Sequence, residues 1–243
     1  MDKIQIYLNS KRANTYINNL TSDCIFHLPA INVKKSKNVM VTVLNAQIPS
    51  SYYNVNSTND KLVYSVNGGS VLTVTLTHSN YNINTLKSHI MSLIGSNFTF
   101  TYSTSSNKLT ISNSTYEFEF KESSTCFELL GFSDQDHVSI SRTLISDNVV
   151  NLFTVRNLQI ASDNFILNNI DSYNPKNSNI LASIPVNTIY NGIISYANIH
   201  DVYSEINNTR NLTNLHIKIT DQDSNVINLN NAHWSLTLLL TIN

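Results

Sequence analysis

Glycine and proline are scarce, with five and four in 243 residues, and cysteine is scarcer still at two. Five glycines leave no phosphate-cradling loop. The one adjacent pair, Gly68-Gly69, sits between two strand-like runs, where a tight connection needs residues that tolerate positive φ. Cys24 and Cys126 lie far apart and form no framework of the sort small secreted domains use, so both read as free, reduced thiols. Long apolar runs are missing as well. The opening Met1-Asp2-Lys3-Ile4-Gln5-Ile6-Tyr7 holds no sustained apolar core of a leader, and no later run approaches the about 20 residues that span a bilayer. The expectation is a protein that folds in a cytosolic compartment without a membrane span. Triplets such as Asn56-Ser57-Thr58 and Asn113-Ser114-Thr115 then follow from a composition rich in Asn, Ser and Thr and are not read as glycan sites.

Charge of either sign is sparse. Charged residues make up 13% of the chain and the formal net charge is -1, so no bulk field holds a polyanion and direct nucleic-acid binding is not expected. The cluster Lys34, Lys35 and Lys37 lies between two strand-like runs and reads as a solvated turn. Chemistry-bearing motifs are absent too: there is no Gly-x-Ser-x-Gly and no local cysteine signature of a nucleophile. Seven histidines, at 27, 78, 89, 137, 200, 216 and 233, show no zinc-ligand spacing, and His216 alternates with Leu215 and Ile217 as a solvent-facing strand position would. The run Asp221-Gln222-Asp223-Ser224-Asn225 has oxygen ligands at alternate positions. A calcium loop fails there because Val226 stands where the glycine belongs and Ala232 where the bidentate Glu belongs, so the run reads as an inter-strand turn. No metal or cofactor is expected.

What the chain does have is period-two alternation, the mark of strands with one face in a core. Leu72, Val74 and Leu76 alternate with threonines, Leu62, Tyr64 and Val66 repeat the pattern, and 61–77 reads as a hairpin. The run Asn38 to Ile48 is apolar on both faces through Val39, Met40, Val41, Val43 and Leu44, as in a strand covered on both sides, and it ends at Pro49. Helical spacing occurs over Ile83 to Ile94, through Ile83, Leu86, Ile90, Leu93 and Ile94, with Asn82 as cap and Gly95 as stop. It recurs briefly over 124–130, with Ser124 as cap candidate and Gly131 as stop. Between them Phe98-Phe100-Tyr102, Leu109-Ile111 and Tyr116-Phe118-Phe120 read as a three-stranded meander. Alternation resumes at Leu158-Ile160, Ile193-Tyr196, Leu215-Ile217-Ile219 and Trp234-Leu236-Leu238-Leu240, separated by long loops such as 162–178. Trp234 points inward on this pattern. Widely separated strands favour a jelly roll over a simple meander. The expected fold is mainly β, a jelly-roll β-sandwich with an inserted α+β module, divided as 1–69, 70–133 and 134–243.

Several segments resemble the penton, or vertex, capsid proteins of virophages, polinton-like viruses and related large DNA viruses with double-jelly-roll major capsid proteins. They are Tyr7-Leu8-Asn9-Ser10-Lys11-Arg12, and Val41 through Ile48-Pro49-Ser50-Ser51-Tyr52-Tyr53-Asn54-Val55 with its Ile-Pro-x-Ser-x-Tyr turn. Ser79-Asn80-Tyr81-Asn82 and Phe127-Glu128-Leu129-Leu130-Gly131-Phe132 follow, then Ile219-Thr220-Asp221 through Trp234-Ser235-Leu236. The family's Gly-Asn-Tyr is matched except at Ser79. The resemblance implies a structural virion protein that forms homopentamers at icosahedral vertices, contacts major capsid proteins, assembles in the host cytoplasm or a viral factory, and carries out no catalysis.

A ring of that kind needs two different matching patches on each subunit. Ile4, Ile6, Tyr7 and Arg12 are the candidate interface residues, on the view that an apolar-alternating terminus outside the main core needs a partner. The alternatives are a minor capsid or cement protein on the same strands, and a carbohydrate-binding β-sandwich using exposed aromatics.

Overall fold

A computed structural model describes residues 2–32, 38–167, 169–170, 177–199, 202–206 and 211–243. Lys34, Lys35 and Lys37 lie outside the described residues. The chain forms two compact units, one from residues 1–52 with 155–243 and one from Tyr53–Thr154.

In chain order the first unit contributes β1 (Asp2–Asn9), β2 (Thr15–Tyr16), β3 (Asp23–Asn32) and β4 (Val39–Pro49). The second unit follows with β5 (Lys61–Val66), β6 (Leu72–Thr75), α1 (Ile83–Ile94), β7 (Phe98–Tyr102), β8 (Leu109–Asn113), β9 (Phe118–Phe120), α2 (Phe127–Leu130), β10 (His137–Val138) and β11 (Thr143–Ile145). The chain then returns to the first unit with β12 (Asn157–Ala161), β13 (Asn169–Ile170), β14 (Asn177–Ser178), β15 (Ile180–Pro185), β16 (Ile193–Ala197), β17 (Ser204–Ile206), β18 (Asn211–Thr220) and β19 (Ser235–Ile242).

In the first unit one sheet runs β1-β19-β4-β16, with β17 following β16 along the same side of β4, and the other runs β15-β12-β18-β3-β2. Numbered through the chain with the short β2, β13 and β14 set aside and β16 and β17 taken as one, the principal strands order first-eighth-third-sixth in one sheet. In the other they order fifth-fourth-seventh-second. That interleaving of sheets is the jelly roll. Ile6, Leu8, Val41, Leu238 and Leu240 from the first sheet share one apolar cluster with Phe26, Ile160, Leu215 and Ile217 from the second. The second unit is inserted between the third and fourth principal strands.

Three details depart from the sequence reading of the sandwich. β4 is not covered on both faces: Val39, Val41, Val43, Ala46 and Ile48 are buried, while Met40, Thr42 and Leu44 are half-buried. Its register against β19 shifts between Thr237↔Asn45 and Leu238↔Val43, so Leu44 is an extra residue that flips the phase of alternation. A bulged one-sided strand therefore reads as a two-sided one. Secondly, the loop expected over 162–178 carries the pair β13–β14, with Asn169 opposite Ser178. Thirdly, residues 2–9 do not lie outside the core. They form β1, which pairs with β19 from Asp2↔Ile242 to Asn9↔Ser235 and buries Ile6 and Leu8.

The inserted unit begins at 53 and ends at 154 rather than at 70 and 133, because β5 belongs to it: Tyr64 pairs with Phe120 of β9 and Leu62 with Val74 of β6. Its sheets are β10-β9-β5-β6 and β11-β8-β7, so β9 leaves the expected meander to pair with β5. A chain of aromatic rings, Tyr64, Phe98, Phe118, Phe120, Phe132 and Phe127, runs through its core at centroid spacings of 5.1 to 6.1 Å. The 61–77 hairpin forms, but only Leu76 of its second run is buried and Leu72 is exposed. α1 starts at the Asn82 cap, whose Oδ1 accepts the Asn84 and Thr85 N–H at 3.0 Å, and it buries Leu86 and Ile90 while Leu93 stays exposed. α2 is shorter than expected. Ser124 does not cap it, since its Oγ accepts the Val63 N–H at 2.9 Å instead.

Candidate functional site

The first sheet has β1 at one margin and β16 with β17 at the other, where Ile206 of β17 is bridged to Leu167. At one margin, alternation in β1 sends Ile6 and Leu8 inward and leaves Tyr7 75% exposed, its hydroxyl donating to Gln5 Oε1 at 2.6 Å. Ser10 ends the strand. It is wholly buried, its N–H donates to the Trp234 carbonyl at 3.0 Å, and its Oγ accepts the Trp234 N–H at 3.0 Å. The next residues turn through a short 3₁₀ segment, Ser10–Arg12, held by Asn9 Oδ1 accepting the Lys11 N–H. Lys11 and Arg12 are thereby fixed at the surface. Tyr7 and Arg12 line an open groove of about 470 Å³, together with Asn14, His27, Asn45 and Ser235 among others.

At the other margin β16 and β17 follow β4 in succession, with Ile194 and Ile206 buried and Ile193 exposed. Asn198 braces the segment between them: its Nδ2 donates to Thr42 Oγ1 and to the Val202 carbonyl, both at 2.7 Å, and Thr42 Oγ1 also donates to that carbonyl. Ile199, Val202 and Tyr203 are left facing solvent at 79%, 64% and 61%. Ile189 and Tyr190, before the strand, are exposed as well.

Several ionisable groups elsewhere are engaged in structural ties. His216 lies on the outward phase of β18, as its alternation requires, with Nε2 at 2.5 Å from Asp23 Oδ1 and Nδ1 at 3.2 Å from Asp163 Oδ2. Lys218 Nζ reaches the same Asp163 at 2.5 Å. His233 Nδ1 and Ser10 Oγ share a hydrogen bond at 3.0 Å, but burial keeps that hydroxyl from any incoming substrate. Burial pushes the Cys24 and Cys126 thiols up to about 12, far from the thiolate range, and both are free. Asp221 spends its carboxylate on the turn. Oδ1 accepts the Asp223 and Asn225 N–H at 2.9 and 2.8 Å. Among the described residues no group of three His, Cys, Asp or Glu side chains is placed to hold a metal ion. Trp234 is 2% exposed, edge-on to Phe26, with its Nε1 donating to the Thr21 carbonyl at 2.7 Å.

Of the residues singled out from sequence, Tyr7 and Arg12 are brought together at the groove. Ile6 is consumed by the sandwich's own core, and Ile4 packs against that core partly buried, so neither side chain is an exposed anchor. The apolar surface at 189–203 was not singled out. Its signal was faint: Ile193 and Ile194 are adjacent, and one of any adjacent pair in a strand must face away from the core.

No family model and no curated protein matches the chain. Among solved structures it aligns with the crystal structure of selenomethionine-labelled mavirus penton protein over 100% of both chains, with a TM-score of 0.52 and 11% sequence identity. It shares that penton protein's fold. The cryo-EM structure of the Sputnik virophage aligns over 97% of both chains, with a TM-score of 0.44 and 11% identity. The mavirus penton alignment runs from end to end, so the likeness is not confined to a few strands of the sandwich.

Proposed function

We propose that this chain is a structural virion protein, a penton subunit that forms homopentamers at icosahedral vertices and contacts the surrounding major capsid proteins. The observation that carries the reading is the complete jelly roll, interrupted once between its third and fourth principal strands, aligned end to end with a penton protein. The physical character of the molecule supports it. A molecule with charge-poor surfaces, with His78 and His216 tied to carboxylates and His137 to a backbone carbonyl, suits a shell better than a reaction. A net charge of -1 fits protein neighbours rather than packaged nucleic acid. The carbohydrate-binding alternative loses its best platform, because the only tryptophan is inside the core.

The test is co-assembly. Particles reconstituted from this chain and its cognate major capsid protein are imaged, and density for this chain is expected at the vertices alone, five copies to each. Density between capsomers on the facets supports the minor capsid alternative instead.

A further inference from the structure

We propose that the groove beside β1 holds an extended acidic segment of a partner protein, with one of its carboxylates paired to Arg12. The site stands apart from the five-fold role proposed above, which names no binding groove.

The groove is rich in hydrogen-bond donors and has no negative charge of its own. Arg12 and His27 line it, and no Asp or Glu does. The 3₁₀ turn that Asn9 caps sets Arg12 at the surface, where its guanidinium makes no ion pair or hydrogen bond among the described residues. Three asparagines add donors. Asn9 Oδ1 accepts the Lys11 N–H at 3.0 Å, Asn14 Oδ1 accepts the His27 N–H at 2.7 Å, and Asn45 Oδ1 accepts the Thr237 hydroxyl at 3.1 Å. With those oxygens engaged within the chain, the free end of each amide is its Nδ2 donor. A guanidinium fork among amide donors fits a carboxylate, whose two oxygens accept and do not donate.

Two further observations select a polypeptide as the carrier of that carboxylate. The buried side chains of Leu8, Phe26 and Leu236 also line the groove, so apolar contact accompanies the charge. β1 supplies Tyr7, Leu8 and Asn9 to the groove and pairs only with β19 among the described strands, which leaves backbone N–H and C=O groups open along its other side. An extended segment pairs with such an edge through its own backbone, which a free anion lacks.

The test is fluorescence anisotropy with the full chain and two short labelled peptides, one alternating leucine with aspartate and the other leucine with asparagine. Saturable binding of the aspartate peptide is expected, at least about tenfold tighter than that of the asparagine peptide. Arg12→Gln is expected to weaken it at least about tenfold, and Arg12→Lys, which keeps the charge and loses the fork, to fall between. Lys87→Gln removes one positive charge from the inserted unit and is expected to change affinity less than about twofold. Circular dichroism checks that each variant folds. Equal affinity for the two peptides, no saturable binding, or an Arg12→Gln chain that binds as wild type does overturns the proposal. Displacement of the peptide by inorganic sulfate, but not by chloride at matched ionic strength, marks a plain anion site and overturns it too.

Discussion

Trp234 shows how one side chain ties the sandwich together. It precedes β19, fills the core edge-on to Phe26, and satisfies the Thr21 carbonyl through Nε1 while its backbone is bonded to Ser10 in both directions. Trp234→Phe keeps much of the volume but leaves the Thr21 carbonyl with only the weak Cys24 thiol donor, an expected loss of about 1 kcal/mol read as a lower urea midpoint by circular dichroism. The thiols give a second residue-scale test. Cys24 and Cys126 are fully buried and their thiols are pushed from 9.0 up to about 12, by burial first and by nearby Asp23 or Asp60 after it. The folded chain therefore holds these protons where the unfolded chain has released them. Their contribution to stability is complete below about pH 9 and is lost as pH rises toward about 12. A thiol reagent at pH 8 is expected to label neither cysteine until urea unfolds the chain, and Cys24→Ala with Cys126→Ala is expected to flatten the alkaline loss of stability over that window.

Among the elements, α1 was the most legible from sequence, because its signals are local. Asn82 and Gly95 mark the ends, and they do so in the structure through a reciprocal capping box that Asn82 forms with Thr85 and a C-terminal glycine at φ 103°. Asn82→Ala is expected to cost about 1 kcal/mol in chemical denaturation. The 139–143 turn was not legible, because it places Ser141 and Arg142, both non-glycine, at left-handed φ of 51° and 61°. Glu117 holds the turn: its carboxylate accepts from Ser139 Oγ at 2.6 Å and from the Arg142 N–H at 2.9 Å, which draws its pKa below the usual carboxylate value. Glu117→Gln is expected to speed amide exchange at 139–143 without changing the rest of the inserted unit. Strands were legible as strands but not as neighbours. Alternation states that Phe118 and Phe120 need cover, yet nothing near them says that β5, more than fifty residues earlier, supplies it. Ile6 and Leu8 likewise announced an apolar face, while the partner β19 lies at the far end of the chain. A single extra residue at Leu44 was enough to disguise a one-sided strand.

At the scale of the molecule, two apolar clusters follow the division of the chain: one draws from 1–52 and 155–243, and the other from 53–154. Each unit owns a core, so residues 53–154 expressed alone are expected to unfold in one cooperative urea transition. A molten product without a cooperative transition contradicts that independence. The jelly roll was legible from the wide spacing of its strands. The exposed surface of the sandwich was legible only where it is charged or aromatic, as at Tyr7 and Arg12, since an exposed isoleucine such as Ile199 looks like any core residue in sequence. The proposed five-fold vertex is tested most directly by the mass of the purified full chain in light scattering, with negative-stain imaging of the same sample. A ring of five copies of the 27.3 kDa chain with visible five-fold symmetry is expected; a stable dimer or trimer, or a chain monomeric at every concentration, contradicts that role.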